Sequence, residues 1–309
     1  MIRFLGKEIS FETLKAMDRF DINCVFNQGR PLLHCALMDG CRRSFQVAID
    51  RYADLDLLDA DGYAPLHLAA ANGHTWAIKG LIEHGANVYI VDRSGWTPLH
   101  HAAWTNVHCV KLLAPHDDRT YINRPTPDGA TALHCAARMG HAESITCLFE
   151  RGADVNCKDE QGWTPLHYAT MEGHVDCIEA LIACGADPNQ HDRQMRGPLF
   201  LAVIWQRTLV ASILINSGAS MTDRDNYGIT PLQCAATASR EDFVKIFADS
   251  MYNREWKRLL ETAVVLQPFD LPVLVSYNIY CALYLYADHM VPIGEAWNVL
   301  KAFKRPPIK

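Results

Sequence analysis

The 309-residue sequence has no Cys-x-x-Cys pair, although it contains 11 cysteines. An odd count without paired spacing argues against a disulfide framework. The thiols read as small buried hydrophobes in a reducing compartment. There is no Gly-x-Ser-x-Gly elbow, no phosphate-cradling glycine loop and no kinase signature, so an enzyme is not expected. Basic charge is scarce: 29 Lys and Arg stand against 35 Asp and Glu, a net charge of -6. A nucleic-acid grip built on bulk positive charge is therefore not expected. The acidity lies before Asn253, with 22 basic residues against 30 acidic ones, and mildly favours a basic or neutral partner. Long apolar runs are missing as well. The one membrane-like segment, Leu271 to Ala287, has 17 charge-free residues, the short limit of the roughly 17–25 that span a bilayer. Its tyrosines and Pro272 point to a buried helix, and no membrane contact is expected. Met1 to Ser10 is too charged for a signal peptide. The expected location is the cytoplasm, with the nucleus as a second possibility.

What the sequence does have is a period. The stretch Gly162-Trp163-Thr164-Pro165-Leu166-His167-Tyr168-Ala169-Thr170 recurs with variations. Its histidine position is filled by His34, His67, His100, His134, His167, Phe200 and Gln233, at steps of 33, 33, 34, 33, 33 and 33. A fixed period of this length means stacked supersecondary units. Each copy reads as a tight turn whose Gly takes a positive φ, a helix opened by Thr-Pro, a Gly-His stop, and a second apolar helix ended by Gly-Ala-Asp. No unit can bury its apolar face alone, so the units must stack.

Gly-x-Thr-Pro-Leu-His-x-Ala-Ala, Gly-His, Gly-Ala-Asp-x-Asn and the period resemble ankyrin repeats. The resemblance covers about residues 30–250, in seven copies. It implies an all-α solenoid of helix-turn-helix repeats with projecting hairpin tips, and a protein-binding role through a concave face of tips and first helices. Residues 1–29, with an amphipathic pattern from Ser10 to Phe20, are expected to form an N-terminal capping helix. Residues 251–309 are expected to form a three-helix module. Several copies depart from the pattern. The first lacks the threonine, the copy at Thr97 gains a residue near Pro115–Arg119, and the copy at Leu199-Phe200 has Met195 for its turn glycine.

The repeat histidines read as structural, each bonding a neighbouring turn. No histidine spacing matches a zinc ligand set, and no metal or cofactor is expected. Candidate binding residues lie where the motif varies. Tyr63, Trp96 and Trp163 follow the turn glycine; Trp104, Arg138, Met171 and Glu172 end first helices. Aromatic rings with an Arg and a Met are what interface anchors are made of, and in ankyrin-like stacks these positions face the concave surface. The same aromatics can equally pack on the next hairpin. Asn156 and Asn189, each eight residues after a Leu, resemble the context of asparaginyl hydroxylation in ankyrin repeats, with turn stabilisation as the favoured alternative.

The C-terminal module bears on pathway. Ankyrin arrays often carry a helical box that docks a ubiquitin ligase. Leu271-Pro272, Ile279 and Leu283, followed by Asp288 and Trp297, resemble an F-box opening; the match to a SOCS box is poor. Two functions follow as expectations. One is a substrate adaptor of a cullin-type E3 ligase, docked through Leu271, Pro272, Ile279 and Leu283. The other is an ankyrin scaffold or inhibitor whose C-terminal helices only cap the array.

Overall fold

The computed structural model describes residues 30–115, 118–238 and 240–252, with the short pieces 2–4, 7–9 and 22–23. The capping helix expected over Ser10 to Phe20 lies outside the described residues. So do Leu271, Pro272, Ile279, Leu283 and everything else from Asn253 onward. An element that the sequence pattern did not announce precedes the repeats: strands Ile2–Phe4 and Lys7–Ile9 pair antiparallel, with Ile2 opposite Ile9.

Two compact units divide the chain, Met1–Ala186 and Asp187–Lys309. The first holds five helix pairs: Leu32–Met38 with Arg42–Asp50, Pro65–Ala71 with Thr75–Glu83, Pro98–Thr105 with Val107–Leu113, Ala132–Met139 with Ala142–Glu150, and Pro165–Glu172 with Val175–Ala183. The second holds Pro198–Ile204 with Thr208–Asn216 and Pro231–Thr237 with Glu241–Tyr252. These pairs are repeats 1–5 and 6–7. Within each unit, first helices pack on first helices and second helices on second helices. Small residues make the close approach possible: Ala69, Ala70, Ala102, Ala103, Ala136 and Ala169 are fully buried. The second helices contribute Ile78, Leu81, Val110, Ile145, Leu148, Ile178 and Leu181 to the core, all without exposure.

Within the first unit, the repeat histidine joins one repeat to the next. The N–H of the N-cap residue donates to its Nδ1 (Thr97 to His100 at 3.2 Å, Thr131 to His134 at 3.0 Å, Thr164 to His167 at 3.1 Å). An N–H can only donate, so Nδ1 is the bare nitrogen and the ring is neutral, with its proton on Nε2. That proton reaches a carbonyl of the following repeat: His34 to Tyr63, His67 to Trp96, and His134 to Trp163, each at 3.0 Å. The imidazole thus fills the place that a glutamate takes in a capping box. In repeat 7, Gln233 takes the same N-cap N–H, with Oε1 accepting from Thr230 N at 2.9 Å.

The departures from the motif have visible consequences. In repeat 3 the added residue is absorbed by a single-turn helix, Arg119–Ile122, capped by Asp118, which accepts from Tyr121 N at 2.9 Å. The turn buries Tyr121 and Ile122, and the Tyr121 hydroxyl donates to Val88 O at 2.7 Å. Tyr52, Met195 and Gln206 stand where other copies have glycine, and all three take a positive φ, of 56°, 60° and 58°. Each carries the strain of a side chain in the left-handed region.

Repeat 1 has Pro31 at the N-cap, and proline has no N–H to give. The Nδ1 of the buried His34 has no hydrogen-bond partner. Replacing Pro31 by threonine restores the donor and is expected to stabilise the protein by about 1 kcal/mol. The check is a higher urea midpoint at unchanged m-value; an unchanged or lower midpoint would count against the account.

Candidate functional site

The hairpin tips aim the residues that follow the turn glycine. Asp59, Asp92 and Asp159 are buried, and in each one carboxylate oxygen accepts two backbone N–H groups, two and four residues on. The second of these N–H groups belongs to Tyr63, Trp96 or Trp163. Asx-turn geometry therefore fixes the backbone that carries each of these rings. The other carboxylate oxygen takes a different partner in each repeat. Asp59 accepts from Arg30 Nε at 3.2 Å, Asp92 from His101 Nε2 at 2.8 Å, and Asp159 from the Tyr168 hydroxyl at 2.7 Å.

His101 and Tyr168 occupy the same motif position, one residue after the repeat histidine. Elsewhere it holds Cys35, Leu68, Cys135, Leu201 or Cys234. Burial outweighs the Asp92 contact and holds the His101 pKa below its ordinary value, so it donates to Asp92 as a neutral ring. Burial first, and the Asp159 carboxylate second, push the Tyr168 phenol well up, so it stays a donor.

Together these groups form a ribbon across repeats 2 to 5. The Tyr63 ring meets His101 edge-on at 5.7 Å, and His101 lies 5.2 Å from Trp96. Trp96 contacts Trp104 at 5.7 Å. The Arg138 guanidinium sits over Trp104 at 5.6 Å and over Tyr168 at 5.9 Å. Tyr168 meets Trp163 at 5.1 Å. All the rings are partly exposed, and Arg138 is exposed. The backbone that carries the centre of the ribbon is held from the following repeat: His141 Nε2 donates to Trp104 O at 3.0 Å and His174 Nε2 to Arg138 O at 3.1 Å. These are the histidines that follow a helix-ending glycine.

Five of the seven candidate binding residues therefore join one ribbon: Tyr63, Trp96, Trp104, Arg138 and Trp163. Met171 and Glu172, also partly exposed, end the helix that carries Tyr168. Tyr168 and His101 are not among the candidate binding residues of the sequence. The signal was available, since this motif position turns polar and aromatic in repeats 3 and 5 alone. Asn156 and Asn189 lie in the turns after the second helices. Asn156 Nδ2 donates to Gly185 O at 3.4 Å, and Asn189 bonds Gly218 O at 3.2 Å while accepting from Ser220 N at 2.7 Å. Both amides thus bridge to the turn 29 residues on. Among the described residues no group of three or more His, Cys, Asp or Glu side chains could hold a metal ion. Desolvation raises the thiols of Cys109 and the partly buried Cys157 to about 11 and those of Cys135 and Cys177 to about 12. No helix among the described residues is long and apolar enough to cross a membrane.

A family model for ankyrin repeats (three copies) matches in overlapping placements, over residues 6–92, 32–126, 85–159 and 120–192. The chain belongs to the ankyrin-repeat family. Its repeats form the all-α ankyrin-repeat solenoid, a scaffold for binding other proteins that is typically non-catalytic. Among solved structures it is similar to the ankyrin repeat domain of Bcl-3, described as a unique member of the IkappaB protein family. The two are 27% identical, with 67% of this chain and 94% of that one covered, at a TM-score of 0.58. In all, 589 solved chains match, so the ankyrin fold by itself does not select a partner. No curated protein matches the chain.

Proposed function

We propose that this ankyrin protein recognises another protein through the ribbon of repeats 2 to 5, with Trp104 and Arg138 at its centre and Tyr63, Trp96, Trp163, Met171 and Glu172 around them. The observation that carries the reading is the combination of exposure and fixity. Large rings and a guanidinium are left partly in solvent, yet their backbones are tied down by the tip aspartates and by His141 and His174. Preorganised aromatic and Arg side chains lose little entropy on binding and are the usual anchors of an interface.

Trp104→Ala is expected to weaken partner binding by about 2 kcal/mol, the size of an interface anchor. The accompanying loss of folding stability is expected to be only about 1 kcal/mol, since the ring gives up one aromatic pair and one cation–π contact. Affinity and thermal unfolding of the same variant separate the two. If stability falls by several kcal/mol instead, Trp104 is a core residue.

Beyond recognition, a scaffold or regulator role is favoured by the likeness to the Bcl-3 ankyrin domain. The ubiquitin-ligase adaptor reading rests on Leu271, Pro272, Ile279 and Leu283. A pull-down with the intact chain and with residues 1–250 tests it. Recovery of a cullin complex by the intact chain alone supports an adaptor, and no recovery rejects it.

A further inference from the structure

Arg138 sits at the centre of the ribbon. Its guanidinium carbon lies 5.6 Å and 5.9 Å from the centroids of Trp104 and Tyr168, so two rings from the neighbouring repeats flank it. Among the described residues it makes no ion pair, in contrast to Arg30 and Arg196. The tip aspartates of repeats 3 to 5 already have hydrogen-bond partners. Asp92 takes Ser94 N, Trp96 N and His101, Asp159 takes Gln161 N, Trp163 N and the Tyr168 hydroxyl, and Asp128 accepts from Thr126 Oγ1. A guanidinium carries five N–H donors around its edge, and contact with ring faces leaves that edge open. The Arg138 backbone is fixed by the His174 bond to its carbonyl at 3.1 Å.

We infer that Arg138 is the specificity residue of this face and takes the carboxylate of an aspartate or glutamate side chain on the partner protein. The partly exposed Trp104 and Trp96 receive the apolar residues that flank it. This rests on the proposal that the ribbon is the recognition face. The rings supply most of the contact area, and Arg138 decides which charge is accepted. The net acidity of the repeats does not oppose this. At physiological salt exposed charges are screened within about 8 Å, so the group in contact outweighs the distant field. A carboxylate here gains a charge-assisted pair in a site partly dried by the rings. A basic partner residue would have to meet Arg138 directly.

The test uses the intact chain and a random peptide library displayed on phage, selected in parallel on the wild type, Trp104→Ala and Arg138→Glu. Recovered peptides are then synthesised with each Asp or Glu replaced by its amide, and their affinities are measured on the wild type and on Arg138→Gln. The expected result is a shared acidic residue flanked by apolar ones. Its amide copy should bind the wild type roughly ten- to hundredfold more weakly, the worth of a charge-assisted hydrogen bond, and Arg138→Gln about equally with or without the charge. Arg138→Glu should select Lys or Arg at that position. Peptides that need Trp104 but show no acidic preference, or bind Arg138→Gln as well as the wild type, overturn the inference and leave the recognition face standing. If no recovered peptide depends on Trp104, the recognition face itself fails, and the inference with it. Thermal unfolding of each variant confirms that a lost interaction is not a lost fold.

Discussion

Acidification from pH 7 to pH 4 is expected to remove most of the stability of this protein. His67 and His100 are fully or almost fully buried, and burial pushes both pKa values down to about 4 from an ordinary 6.5. Asp92 and His101 face both rings and only modify this. The folded rings stay neutral because Nδ1 accepts an N–H and has no room for a proton. As pH falls through 6.5 the unfolded chain binds protons that the folded chain refuses. The unfolded state is therefore favoured progressively until the folded pKa near 4 is reached. The histidine contribution is complete above about pH 6.5 and lost between there and pH 4. Each ring accounts for about 3 kcal/mol over that window. Burial shifts His34, His101 and His134 in the same direction. The loss from His67 and His100 alone is comparable with the whole stability of a typical domain, about 5–15 kcal/mol. Urea unfolding at a series of pH values would display the slope. The discriminating variant is His100→Gln, which copies what Gln233 already does for Thr230. It should lose about 1 kcal/mol at pH 7 and flatten the acid slope by up to about 1.4 kcal/mol per pH unit. A slope unchanged by the substitution would refute the assignment.

Gly129→Ala is expected to cost about 2–5 kcal/mol, although only one methyl group is added. Two causes add. The residue has a φ of +82°, where a Cβ costs roughly 1–2 kcal/mol. That Cβ would also lie 2.8 Å from Glu160 N and 2.9 Å from Asp159 Cα, which are backbone atoms that cannot swing aside. Relieving such a contact costs typically about 1–3 kcal/mol. It would further part the two tips, which are joined by Glu160 N donating to Asp128 O at 2.9 Å. Gly185→Ala is the control. It shares the positive φ, at +89°, but its new Cβ meets nothing within 4 Å. It should cost about 1 kcal/mol. Denaturant unfolding of both variants checks the difference, and equal losses would show that tip contact contributes nothing.

Much of this was legible beforehand because a repeat states its own structure several times. The helix starts at Thr-Pro, the turn glycines and the buried alanines could be read from the period. So could the structural role of His34, His67, His100, His134 and His167. Less legible was how those histidines act. Thr97, Thr131 and Thr164 are the N-cap residues, as the motif implies, but it is the imidazole that takes the N-cap N–H and bridges onward, a pairing known only once the next repeat is in place. The ribbon was half visible. Trp104, Arg138 and the residues after the turn glycine stood out because they break the pattern. Tyr168 and His101 did not, because their importance lies in contacts with tip carboxylates nine residues earlier in the chain. The strands at Ile2–Phe4 and Lys7–Ile9 are too short to impose an alternation on the sequence.

The bonds from His141 to the Trp104 carbonyl and from His174 to the Arg138 carbonyl have a consequence for engineering. Repeats 3 and 4 each display a side chain whose backbone is clamped by the following repeat. A single repeat cut from this protein and grafted into another array would carry the right side chain on the wrong footing. The smallest transferable module is therefore two consecutive repeats, and a library that shuffles single repeats would scramble the surface it means to sample.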